Sequence, residues 1–206
     1  MARKTFFSFH YERDAWRAGQ VRNCNLLPND DLSGFIDSAE WQSIERQGES
    51  AIERWIDDQL EYTSVTAVLI GSETANRRWV QHEIIRSWSR GNGIVGLRIH
   101  NVKDQNKETD TPGSNPLDRY RLPDGTLLSA LCKSYDWVID DGRNHLGEWI
   151  EEAFQIRARC GADEEIVDVN QVKEKAVPSR ILQPAMASGA FVPRSPWSAN
   201  DAEKGR

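Results

Sequence analysis

The chain has 206 residues and carries 26 Lys and Arg against 32 Asp and Glu, a formal net charge of −6. That length fits one domain of about 150 residues with an extension, large enough to bury roughly two-thirds of its unfolded surface. The acidic balance argues against a phosphate-backbone binder, no apolar run reaches the roughly 18 residues of a membrane span, and three scattered cysteines (Cys24, Cys132, Cys160) suit a reducing cytoplasm rather than a disulfide framework or zinc site.

From the N-terminus, Thr5 to Phe9 (TFFSF) is an aromatic-rich run that predicts a buried strand. A helix is expected over Tyr11 to Asn23, with Trp16 and Val21 as its clearest apolar positions. Leu26 to Ser33 is loop chemistry, and Gly34 to Asp37 reads as a brief second strand that hands over to a helix capped by Asp37 or Ser38. Ser50 and Glu53 have capping-box spacing, and the helix they would open aligns Ile52, Trp55, Ile56 and Leu60. Val65 to Ile70 (VTAVLI) is the continuous β-branched run of a central parallel strand.

The next helix, about Asn76 to Arg90, aligns Val80, Ile84 and Trp88, and Gly93 to Ile99 follows as a strand. A long polar insert runs from Asn101 to about Lys133. Tyr135 to Ile139 predicts the last strand, and Leu146, Trp149, Ile150, Ala153 and Phe154 mark a final amphipathic helix. Strands alternating with helices imply a parallel sheet covered on both faces. Five such strands most often take the flavodoxin-like order 2-1-3-4-5, with ligands bound outside the strand C-termini. A domain over residues 1–161 is expected, with 162–206, punctuated by Pro178, Pro184, Pro193 and Pro196, as an irregular or disordered extension.

Several motifs are weighed on that frame. Gly91 to Gly96 matches G-x-G-x-x-G, but it ends a helix and enters a strand, the reverse of a dinucleotide fingerprint, so Gly91 reads as a helix C-cap. A phospho-acceptor receiver needs carboxylates where Phe9-His10-Tyr11 and Gly71-Ser72 stand, and a flavin site needs a Ser/Thr-Gly-rich loop after strand one. Neither is present. Trp79 and Glu83 are i, i+4 neighbours in the first turns of a helix that begins at a strand C-terminus, with the apolar stripe roughly 100° or more from Glu83. Glu83 is then either a crevice carboxylate or a surface partner of Arg86 or Arg90. Phe9, His10 and Tyr11 leave strand one at the same crevice, where an aromatic can stack on a nicotinamide or adenine ring; His10 has the alternative of tying down its own loop. Arg77-Arg78 reads as a solvated face, with pyrophosphate contact as the alternative.

FFSFHYERDAWR, VTAVLIGSETANRRWVQHEI, LRIHNVKD and YDWVIDDGRNHLGEWIEEAF together make the chain resemble the TIR-like domains of the MTH538 type, which include the TIR-like sensor proteins of Thoeris anti-phage defence. The most specific element is a Ser…Trp-x-x-x-Glu arrangement, carried by Ser72, Trp79 and Glu83. The Arg-Asp-x-x-Pro-Gly loop of animal TIR adaptors is replaced here by Leu27 to Asp31. The resemblance implies a flavodoxin-like TIR fold and a catalytic Glu83 that cleaves NAD, with NAD as substrate and no metal or redox cofactor. It implies substrate contacts from Phe9, His10, Tyr11, Ser72 and Trp79, and makes His100 a second-tier candidate. It also implies a cyclic ADP-ribose-type product read by a downstream effector, self-association that completes the site, and a phage-derived trigger. Two alternatives belong to other classes: a TIR module acting through protein association, and a sensor that binds the nucleotide without turning it over.

Overall fold

A computed structural model describes residues 3–24, 32–33, 38–160 and 165–170. The chain divides into two compact units, Met1–Ala176 and Val177–Arg206, and every described residue lies in the first. The four longest strands are β1 (Thr5–Ser8), β3 (Val65–Ile70), β4 (Gly93–Arg98) and β6 (Ser134–Asp136). They lie side by side in that order, all parallel, and the two-residue β2 (Leu32–Ser33) pairs with the outer edge of β1. The second strand expected at Gly34 to Asp37, the cap expected from Asp37 or Ser38, and the Leu27–Asp31 loop fall outside the described residues or side chains.

The helices cover both faces, as the alternating pattern requires. On one face α1 (Tyr11–Arg22) and α6 (Gly142–Arg159) bury Ala18, Val21, Leu146, Trp149 and Ile150 against Phe7, Ala67, Leu69, Val95 and Leu97. Gly93 is what lets α6 close on β4: a Cβ there would lie 2.4 Å from the Ala153 carbonyl oxygen. On the other face α4 (Arg78–Ser89) lays Val80, Ile84 and Trp88 on Val68, Ile70 and Ile94, while α2 (Ser38–Arg46) and α3 (Glu49–Leu60) gather Trp41, Ile52, Ile56 and Leu60 around Phe6. Strand alternation sorts these contacts, so Phe6 and Ser8 share the α2–α4 face.

Gly91 caps α4 as expected. At φ +85° it donates to the Trp88 carbonyl while Asn92 donates to that of Ser87, the paired bonds of a Schellman ending. Other expectations are corrected. The capping box is absent: α3 begins one residue ahead of Ser50, after Gly48 at φ 92°, with no side chain capping it. Trp16 is exposed on α1 rather than core. The last strand stops at Asp136, because the Asp136 carboxylate accepts from the amides of Val138 and Ile139 and curls them into a turn, where both side chains are exposed. The polar insert carries its own elements: a 3-10 turn at Pro116–Arg119, β5 (Tyr120–Arg121) and the short α5 (Leu128–Leu131). The pattern that fades after Gly161 still supplies β7 (Val167–Asp168), antiparallel to β5, with Arg119 Nε donating to Asp168 at 2.7 Å. These residues therefore pack onto the domain beyond the boundary expected at 161.

Candidate active site

At the C-terminal end of β1, on the α2–α4 face, a cavity of about 280 Å³ opens between the start of α1, the middle of α2 and the N-terminus of α4. Its floor is Glu83. The helical geometry that sets Glu83 to one side of the Val80–Ile84–Trp88 line also sets it about 60° from Val80 and 40° from Ser87, and both of those neighbours are buried. Glu83 thus flanks the stripe on the side that meets β1, and only 7% of it is exposed. Ser8 Oγ donates to Glu83 Oε2 at 2.5 Å. Burial pushes the Glu83 carboxyl up to about 8, with the Ser8 hydrogen bond pulling the other way. A surface ion pair is not its role: Arg86 instead forms a two-pronged bond to Asp57, both contacts 2.8 Å.

The walls are aromatic. Phe9, Tyr11 and Trp79 line the cavity, joined by Trp41 and Trp55. Tyr11 stacks on Trp41 at 5.7 Å between ring centroids, and Trp41 meets Trp55 edge-on at 5.8 Å. Such arrangements hold large apolar faces rigidly. His10 also lines the cavity and is 7% exposed. Its Nε2 lies 3.7 Å from Glu12 Oε2, beyond hydrogen-bond reach, and neither buried ring nitrogen has a hydrogen-bond partner. Burial, and next the nearby Arg77 charge, lower its affinity for a proton. Tying down its own loop is therefore not what this imidazole does.

Ser72 and His100 stand apart from this cavity. Ser72 Oγ donates to Asp110 at 2.9 Å, and Asp110 also receives Arg13, so Ser72 closes the insert onto the end of β3. His100 lies with Asp136 at 3.8 Å, beyond β4. The sequence reading missed Ser8, Trp41 and Trp55 as site residues. Ser8 had a readable mark: of the two hydroxyls in TFFSF, it is the one on the same face as the buried Phe6. Trp41 had none, since nothing local ties α2 to the end of β1.

A parallel sheet covered by helices on both faces, with its cavity outside the end of the first strand, defines the class: a flavodoxin-like α/β domain. Residues 6–104 match the family described as Thoeris protein ThsB, TIR-like domain. The chain is also 33% identical over 191 residues to a Bacillus cereus (strain MSX-D12) protein named "Putative cyclic ADP-D-ribose synthase ThsB1", an alignment covering 73% of this chain and all of that relative. The chain belongs to the ThsB family of Thoeris TIR-like proteins.

Proposed function

We propose that the protein cleaves the nicotinamide–ribose bond of NAD and closes the ADP-ribosyl group into a cyclic product that signals in Thoeris defence. The observation that carries this reading is the buried carboxyl of Glu83 in an aromatic cavity, with Ser8 as its hydrogen-bond partner among the described residues. Support comes also from the named activity of the Bacillus cereus relative.

The chemistry follows from where Glu83 sits. When the bond between the nicotinamide nitrogen and the anomeric carbon breaks, the electron pair leaves with nicotinamide, and oxocarbenium charge develops on the ribose. A carboxylate facing that carbon in a dry site stabilises the transition state more than the ground state. Burial favours the protonated form of Glu83; the cationic nicotinamide ring, once bound, favours the carboxylate, so binding expels the proton. Phe9, Tyr11 and Trp79 offer faces for stacking and keep water from the carbon. A hydroxyl or ring nitrogen of the same molecule then attacks, losing its proton to Glu83 or solvent where it carries one. Water reaching the carbon first would give linear ADP-ribose instead.

The test is NAD turnover followed by mass spectrometry for wild type and Glu83→Gln, at low and high protein concentration and in lysate from phage-infected cells. Nicotinamide release with a cyclic product in wild type, reduced at least about a hundredfold in the variant, is expected. Equal activity in both forms would remove Glu83 from the mechanism. Silence of both forms in every condition would favour a module that works by association.

A further inference from the structure

The N-terminus of α4 breaks the usual rules of helix ends. Arg77 occupies the N-cap position, no side chain caps the helix, and no acidic residue stands in its first turn. Arg77 and Arg78 instead place two positive charges beside the positive end of the helix dipole, where anions are normally favoured. The first-turn amides at Arg78, Trp79 and Val80 lack partners within the helix by its geometry, and all three residues line the cavity that holds Glu83. Two further groups at this point are unsatisfied. Both ring nitrogens of His10 and the Nε of Arg77 are buried without a hydrogen-bond partner. Leaving such buried polar groups unpaired is costly, a cost the sequence tolerates where a ligand completes the site.

Two arginines are present, and their commitments differ. Arg78 gives both terminal nitrogens to Glu49 and lies largely in solvent. Arg77, which also lines the cavity, spends one terminal nitrogen on Glu73 and keeps its Nε buried without a hydrogen-bond partner. Two carboxylates face the same place, Glu73 through Arg77 and Glu12 beside His10. The Glu12 side chain is 74% exposed and has room to swing away.

We propose that the α4 N-terminus, the Nε face of Arg77 and the imidazole of His10 form the anion subsite that receives the pyrophosphate of the dinucleotide. The assignment rests on the NAD reading above and makes Arg77 and His10 positioning residues: they hold the diphosphate while Glu83 meets the ribose. It also reverses the solvated-face expectation for Arg77. Oriented amides at a helix end with a guanidinium and a neutral imidazole donor make a directional anion site, and a cavity of about 280 Å³, at the small end for ligand pockets, then holds one half of a dinucleotide with its phosphates at the mouth.

The experiment is calorimetric binding to the full chain in the Glu83→Gln background, with NAD, ADP-ribose, inorganic pyrophosphate and nicotinamide riboside as probes. Arg77→Ala should weaken NAD, ADP-ribose and pyrophosphate by about tenfold or more and nicotinamide riboside by less than about twofold, because only the last lacks a diphosphate. His10→Phe, which keeps a ring and removes the donors, should weaken the diphosphates about fivefold. Glu12→Gln should tighten them about threefold, a gain that no folding defect imitates. Arg86→Ala, at a residue paired with Asp57 and outside the cavity lining, should change little. Uniform loss across all four probes, or diphosphate binding indifferent to Arg77 and His10, would overturn the subsite and leave the NAD reading standing. Arg77-dependent binding of pyrophosphate by a protein that turns over no NAD would support the subsite and count against the reaction. Binding of none of the probes would overturn both.

Discussion

Two regions share the C-terminal edge of the sheet and treat their polar groups in opposite ways. Where the insert crosses β3 and β4, most side chains are consumed by one another, the Asp14 carboxylate and His100 Nδ1 excepted: Ser72 and Arg13 converge on Asp110, Arg17 donates to the Val102 and Glu108 carbonyls, Gln20 to that of Lys103, and Asn101 to Asp136. Where β1 runs into α1 beside α4, Glu83 has one bond and His10 has none. The first region uses polarity to fasten a loop; the second holds polarity in reserve against an apolar wall. The two serines carry the contrast. Ser72 serves the fastening, and Ser8 serves Glu83.

The largest effect that sharpens this contrast is on stability. Glu83 holds its proton more tightly in the folded state than in the unfolded chain, so the native state binds more protons between the ordinary carboxylate range and about 8. Its contribution to stability is full below about 4.5 and is lost as pH rises toward 8. Glu83→Gln should match wild type near pH 4.5 and exceed it by up to about 4 kcal/mol at pH 8 in urea unfolding, each tenfold in proton affinity being worth about 1.4 kcal/mol. Asp14, buried against Gly71 and pushed up to about 6, bends both curves alike, and the difference between them isolates Glu83. A constant offset at every pH would show that Glu83 is ionised in the fold, and the contrast between reserve and fastening would fail.

Second comes Ser8→Ala. Since the working form of Glu83 is the carboxylate, kcat/KM should rise with pH toward about 8 in wild type. Removing the Ser8 donor strips the carboxylate of its one hydrogen bond, which moves the rise to higher pH and lowers kcat/KM at pH 7 by about tenfold. An unmoved profile would mean that another group sets the rise. The smallest effect is expected from Ser72→Ala: about 0.5–1 kcal/mol of stability from a half-buried hydrogen bond, and less than about a twofold change in turnover. A large loss of turnover there would merge the two regions into one site.

What could be read from the sequence tracks how local the determining physics is. VTAVLI announces a strand buried on both faces, and the Gly91 ending of α4 follows from its position alone. Glu83, Trp79 and the Phe9–Tyr11 corner were legible because one helix and one strand end place them. Ser72 and His100 sit at strand ends too, but whether such a residue faces the cavity depends on a loop partner, Asp110 or Asp136, distant in sequence. Ile139 misled for a related reason: its β-branched side chain continues the strand pattern, while the Asp136 carboxylate three residues back captures its amide and ends the strand. Trp41 reaches the cavity only through the packing of α2 against α3, which no short window contains.

One feature of α4 has a metric consequence. The amides at its first turn and the carboxyl of Glu83 belong to the same helical rod, separated by three to five residues at roughly 1.5 Å of rise each. The spacing between the place that would grip phosphate and the place that would strain a glycosidic bond is therefore fixed by a rigid element, out of reach of any loop movement. Such a rod works as a gauge, admitting molecules whose charged bridge and cleavable carbon lie that far apart and leaving shorter or longer ones with one end unheld.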